Sequence, residues 1–162
     1  MEHEYKAREV KLPPTKQTIT APTSEDLARI EEQRDWVRGH YTPEAQHKYE
    51  TMENKLVLLQ TILDNGWIEK SETWKLQSLG ITLGDALAQE LGMEWVMVED
   101  EYGRDPALRL SGTTIVLFPL TMISKRIERG EEVIVTELFD VLCDSVRDTV
   151  RRVKNDLESQ QH

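Results

Sequence analysis

Apolar residues recur at spacings of three and four through most of the chain; residues 94–119 (EWVMVEDEYGRDPALRLSGTTIVLFP) alternate instead. The first spacing buries one stripe of a helix and the second buries one face of a strand. Residues 94–119 are therefore expected to form a three-stranded antiparallel meander, with strands at 95–98, 107–110 and 114–118. Gly103, Asp105 and Pro106 separate the first two strands, and Ser111 and Gly112 the last two.

Helices are expected on either side. Residues 1–22 carry Pro13, Pro14 and Pro22 without a sustained apolar period, and read as an extended arm that is ordered only where it docks. Thr23 and Asp26 stand at capping-box spacing before a stripe of Leu27, Ile30, Arg34, Val37 and Tyr41, and Gly39 ends that helix. Pro43 starts a second helix that runs through Tyr49, Met52, Leu56, Leu59 and Leu63 to Asn65 and Gly66. A third, from about Thr73 to Leu91, turns Trp74, Leu76, Leu79, Leu83 and Leu87 inward.

Gly80 and Gly84 lie inside that third helix, where each costs about 1 kcal/mol against alanine. Close backbone packing, approach of a ligand, or a break near Gly80 would each account for them. A short helix follows Pro119 and stops at Gly130, with a short fourth strand at 132–135. Thr136 then caps a long final helix with Phe139, Leu142, Val146, Val150, Val153 and Leu157 inward, fraying from Ser159. The fold class is α+β: a small antiparallel sheet of three or four strands, flanked by N-terminal helices and a long C-terminal helix. One domain is expected over 23–158, between an arm at 1–22 and a frayed tail at 159–162.

A two-residue turn at Ser111 and Gly112 sets Arg109 opposite Thr114 and Leu108 opposite Ile115. Pairing Asp100 with Pro106 then gives one apolar face of Val96, Val98, Leu108, Leu110, Ile115 and Leu117, which a helix must cover. Trp95, Met97, Glu99, Ala107 and Arg109 fall on the other face, with Glu99 and Arg109 as diagonal neighbours. Such a pair serves either as a structural ion pair or as the polar part of a pocket with an apolar floor.

Charge narrows the functional classes. Thirty acids against 20 bases give a net charge of −10, which disfavours a nucleic-acid partner and favours a basic protein. No apolar run approaches the roughly 20 residues a membrane-spanning helix needs. The first 16 residues alternate charge and lack an apolar stretch, so no secretory leader is expected and the cytoplasm is the expected compartment. The lone Cys143 sits on the inner stripe of the last helix and reads as an inert buried thiol.

The densest candidate for function is Glu99, Asp100, Glu101, Tyr102, Gly103, Arg104 and Asp105, four acids and one base at a hairpin tip. Carboxylates about 4 Å apart repel by about 1 kcal/mol even in water, so the cluster calls for solvent, a cation or a basic partner. Alternating side-chain directions let at most two or three converge on one ion, and EF-hand spacing is absent. His3, His40, His47 and His162 lack metal-ligand spacing, and no nucleophile elbow, phosphate loop or dinucleotide fingerprint occurs. No catalytic residue, metal or cofactor is assigned.

The strings EDEYGRDPALR and FPLTMISKRIE, over residues 99–128, together with Gln33 and Arg34, resemble a bacterial family known only as domain of unknown function 3806. The likeness spans about residues 32–150. It implies a small bacterial α+β domain and supplies no activity. The leading expectation is a binding module whose acidic hairpin docks on a basic protein, through Trp95, Glu99, Asp100, Glu101, Tyr102, Arg104, Asp105 and Arg109. The alternative is a small-molecule or metal-dependent enzyme with a carboxylate and arginine site on the sheet.

Overall fold

The computed structural model describes residues 10–11 and 17–160. In chain order the elements begin with β1 (Val10–Lys11), β2 (Thr18–Thr20), α1 (Ser24–Arg38), a 3₁₀ segment (Pro43–Glu50), α2 (Met52–Asp64) and α3 (Thr73–Leu91). They continue with β3 (Met93–Asp100), β4 (Gly103–Leu110), β5 (Val116–Leu117), α4 (Met122–Glu128) and α5 (Val135–Gln160). The fold is α+β, as expected from the pattern. All strands pair antiparallel in the order β1-β5-β4-β3-β2, so two short pieces of the N-terminal arm line opposite edges of the meander.

Local chemistry explains most boundaries. The capping box at the head of α1 is complete: the Thr23 N–H donates to Asp26 Oδ2 at 2.8 Å and the Asp26 N–H to Thr23 Oγ1 at 3.2 Å. The helix expected from Pro43 onward is divided at Thr51, whose extended backbone (ψ 147°) interrupts it while its hydroxyl accepts the Asn54 N–H and caps α2. α3 runs unbroken through both glycines. A Cβ on Gly80 would lie 2.3 Å from the Leu120 carbonyl oxygen, and one on Gly84 2.5 Å from the Trp95 ring. Close packing is thus the reason for both.

Packed against α1, α2, α4, α5 and β3, helix α3 is the centre of the fold. Its Leu76, Leu79, Leu83 and Leu87 are fully enclosed, with Leu59 and Ile62 from α2 and Leu142 from α5. Three residues expected inward, Leu27, Trp74 and Leu157, are not. Leu27 is exposed, and Trp74 lies at the surface with its indole edge-on to Trp36, ring centroids 6.3 Å apart. Along α5, burial ends at Thr149; Val150 and Val153 are half-buried and Leu157 is exposed. The helix continues to Gln160, past the expected fraying point.

The first hairpin departs most from expectation. Asp100 pairs with Gly103, not Pro106, leaving Glu101 and Tyr102 as a tight turn. Gly103 adopts φ 144°, open to glycine and strained for other residues, and the Tyr102 N–H closes the turn on Asp100 Oδ1 at 2.8 Å. This register differs from the expected one by three residues. An odd slip exchanges the faces of one strand relative to its neighbour. The helix-covered face therefore carries Met93, Trp95 and Met97 with Leu108 and Leu117, while Val96, Val98, Ala107 and Val116 form a second small core on the reverse.

The second hairpin slips by two, which leaves its faces unchanged. Leu108 pairs with Leu117 and Arg109 with Val116. Thr113 makes the loop: its hydroxyl donates to the Leu110 carbonyl at 2.7 Å and accepts the Ile115 N–H at 3.0 Å. Leu110 donates its N–H to Ile115, so alternate residues of β4 direct their backbone toward β5. Pro106 belongs to that set but lies beyond the end of β5, where a missing N–H breaks no ladder. A proline inside a strand is tolerated there.

The expected strand at 132–135 does not form. The side chain of Gln60 takes a strand's place, donating Nε2 to the Val133 carbonyl at 3.2 Å and accepting the Val135 N–H on Oε1 at 2.8 Å. Buried Val133 is secured by one side chain from α2.

Candidate functional site

The hairpin β3–β4 projects the acidic cluster into solvent. Glu99, Glu101, Tyr102 and Asp105 are exposed and Asp100 half-exposed; Tyr102 is 89% accessible. Among the described residues, none of the carboxylates of Glu99, Asp100, Glu101 and Asp105 forms an ion pair.

Arg104 leaves the cluster. It stands opposite Glu99 in the ladder, yet both terminal nitrogens of its guanidinium donate to Asp26 at the head of α1, at 2.6 and 2.5 Å. Asp26 is 2% exposed, and its Oδ1 also accepts Arg29 Nη2 at 3.1 Å. The Arg104 hydrogen bonds, followed by that of the Thr23 N–H, hold the Asp26 carboxyl well below the usual carboxylate range. The hairpin is thereby tied to the helical layer, fixing the direction of the tip.

The expected pairing of Glu99 with Arg109 is not made. The three-residue change of register places Arg109 opposite Glu94, to which its Nη2 donates at 3.2 Å, at the end of the ladder away from the tip. Trp95 is also apart from the tip. Its indole lies over Gly84 and donates Nε1 to Asp85 Oδ1 at 3.0 Å.

Asp85 is a structural hub that sequence reasoning missed. It accepts Nε and Nη2 of Arg34 at 2.6 and 2.8 Å and the Tyr49 hydroxyl at 2.6 Å, besides the Trp95 indole. Burial, and then the Asp85 charge, push the Tyr49 phenol well above its ordinary value, and hydrogen bonding to Asp85 holds the Arg34 proton more firmly still. One carboxylate thus joins α1, the 3₁₀ segment, α3 and β3. The available signal was that Asp85 is the single charge in α3 between Lys75 and Glu90.

Two cavities flank the hairpin. On the reverse face, Asp100 and Asp105 rim a notch of about 280 Å³ with Pro106, Phe118 and Leu120 as its apolar part and Thr121 and Lys125 at its far side. On the helix-covered side lies a groove of about 400 Å³ between α1 and the sheet, with Asp26, Arg29 and Arg104 at its polar end. Among the described residues no three His, Cys, Asp or Glu side chains converge to hold a metal ion, and no helix is long and apolar enough to cross a membrane.

A solved structure from Bacteroides thetaiotaomicron VPI-5482, at 1.50 Å resolution, shares this fold with a TM-score of 0.59 and 17% identity. The match covers 86% of this chain and 48% of that one, so this chain spans about half the length of its structural relative. No curated protein matches it. The model of a domain of unknown function, DUF3806, matches residues 55–139, from Lys55 in α2 to Phe139 in α5, and the chain belongs to that family.

Proposed function

We propose that this protein is a cytoplasmic binding module that docks a basic protein segment on the β3–β4 hairpin. The observation that carries the reading is the joint placement of Asp100 and Asp105 around the notch closed by Pro106, Phe118 and Leu120. A lysine- or arginine-rich segment meets the carboxylates, and one of its apolar side chains enters the notch. Charge speeds the encounter and selects the partner, while the apolar contact supplies residence. The net charge of −10 favours the same class of partner at long range.

Two features support a rigid docking element. The Arg104 to Asp26 bonds fix the hairpin from the helical side, and the Tyr102 N–H to Asp100 bond fixes the turn itself. Preorganisation of this kind lowers the ordering cost of binding.

Partner recovery from the native host tests the proposal, comparing wild type with an Asp100→Asn/Glu101→Gln/Asp105→Asn variant at low and high salt. The expected result is a partner held by wild type, released by salt and missing from the variant. Equal recovery by both proteins would remove the hairpin from the function.

A further inference from the structure

We infer that the groove between α1 and the sheet binds a small organic oxyanion, a carboxylate or phosphate ester carried on an aliphatic body. Its polar end is a saturated acid beside unsaturated bases. Asp26 already accepts four hydrogen bonds, one from the Thr23 N–H, one from Arg29 and two from Arg104, which fills the lone-pair sites of a carboxylate. The guanidiniums are far from filled. Of the five N–H donors each carries, Arg29 commits one and Arg104 two to described residues.

A ligand meeting them must therefore bring acceptors, and a planar or tetrahedral oxyanion matches the fork of an arginine. Of the charged lining residues two are arginines and one an aspartate, while Glu99 stands across the ladder from Arg104 and acts on its charge from outside the groove. Beyond this polar end the groove is lined by Ile30, Met97, Pro106 and Leu120, a mostly apolar wall on which Gln33 is the further polar residue. A volume of about 400 Å³ lies within the range of small-molecule sites. Arg29 is the adaptable member, because its side chain is 69% exposed, whereas Arg104 is fixed by two bonds. This assignment does not rest on the protein-docking reading: the carboxylates of that reading, Asp100 and Asp105, do not line the groove, although Pro106 and Leu120 border both cavities.

Titration of the full chain with octanoate, octyl phosphate and octanol, followed by methyl NMR signals of Ile30 and Met97, tests the site. The expected result is saturable shifts at both methyl sets with octanoate or octyl phosphate and none with octanol, the tighter of the two anions identifying the oxyanion. Arg29→Gln leaves the Arg104 to Asp26 bonds in place and should weaken the anion about tenfold, the usual worth of one charge-assisted hydrogen bond. The triple hairpin variant should bind as wild type does, so failure here and failure of partner docking are separate results. Equal binding of octanol, undiminished binding by Arg29→Gln, or no shift with either anion at millimolar concentration would overturn the assignment.

Discussion

Arg104 on β4 and Asp26 on α1 lie 78 residues apart in the chain and meet through both terminal nitrogens of the guanidinium. The same aspartate caps its own helix, so one carboxylate holds the head of α1 and anchors the hairpin. The pH dependence of stability should reveal it. Its pKa is depressed in the folded chain, so its contribution is complete above the ordinary value near 3.8 and is lost as pH falls below it. Asp26→Asn should lower the melting temperature at neutral pH, and the gap to wild type should narrow on acidification below about pH 4. Thermal melts of both proteins across that range check it.

Gly80 should reject even a methyl group. The added Cβ would meet the carbonyl oxygens of Leu120 and Pro119 at 2.3 and 2.6 Å, and backbone cannot turn aside as a side chain can. Gly80→Ala gains about 1 kcal/mol of helix propensity and loses about 1–3 kcal/mol to overpacking, so a net loss of up to about 2 kcal/mol is expected. Urea denaturation measures the balance. An increase in stability would mean that α3 and the start of α4 are not in contact as described.

Loss of the Asp85 carboxylate should be among the most damaging single changes. Asp85→Ala leaves Arg34 with Glu31 alone, Tyr49 with Thr82 alone and the Trp95 donor without Asp85 in a partly enclosed site, at a cost of about 3 kcal/mol. Chemical denaturation gives the size of the effect, and a change in Trp95 fluorescence reports release of the indole.

Cys143 should resist modification in the folded protein. Burial pushes its thiol up to about 11, so little thiolate exists at pH 8, and the side chain is 2% exposed. Iodoacetamide should label it slowly in buffer and rapidly in concentrated urea. Equal rates would show that α5 opens readily at this position.

Sequence periodicity was enough to place α1, α3 and α5, because each has a long apolar stripe; α1 and α3 also have an identifiable cap or stop, whereas Thr136, expected to cap α5, lies inside it. The meander was equally legible, but not its register. Pro106 suggested a loop, and the feature that admits it to β4 is the early end of β5, a long-range fact with no local trace. A three-residue error there was sufficient to exchange the faces of β3 relative to β4 and β5 and to set Arg109 near Glu99 instead of Glu94. The contact of Arg104 with Asp26 was hidden for another reason: Asp26 already had a complete local role as a cap. Asp85 was missed although it left a trace, a solitary charge on an apolar helix; its partners Arg34, Tyr49 and Trp95 left none.

The placement of β1 and β2 has a consequence for how the chain assembles. Thr18 pairs with Glu99 and Val10 with Leu117, so these two segments must wait for much later parts of the chain before they find partners. α1, α2 and α3 can associate from nearby sequence, but both borders of the sheet close only by long-range encounters, which are slow steps in folding. β1 and β2 are thus made before the strands they border and stitched in last.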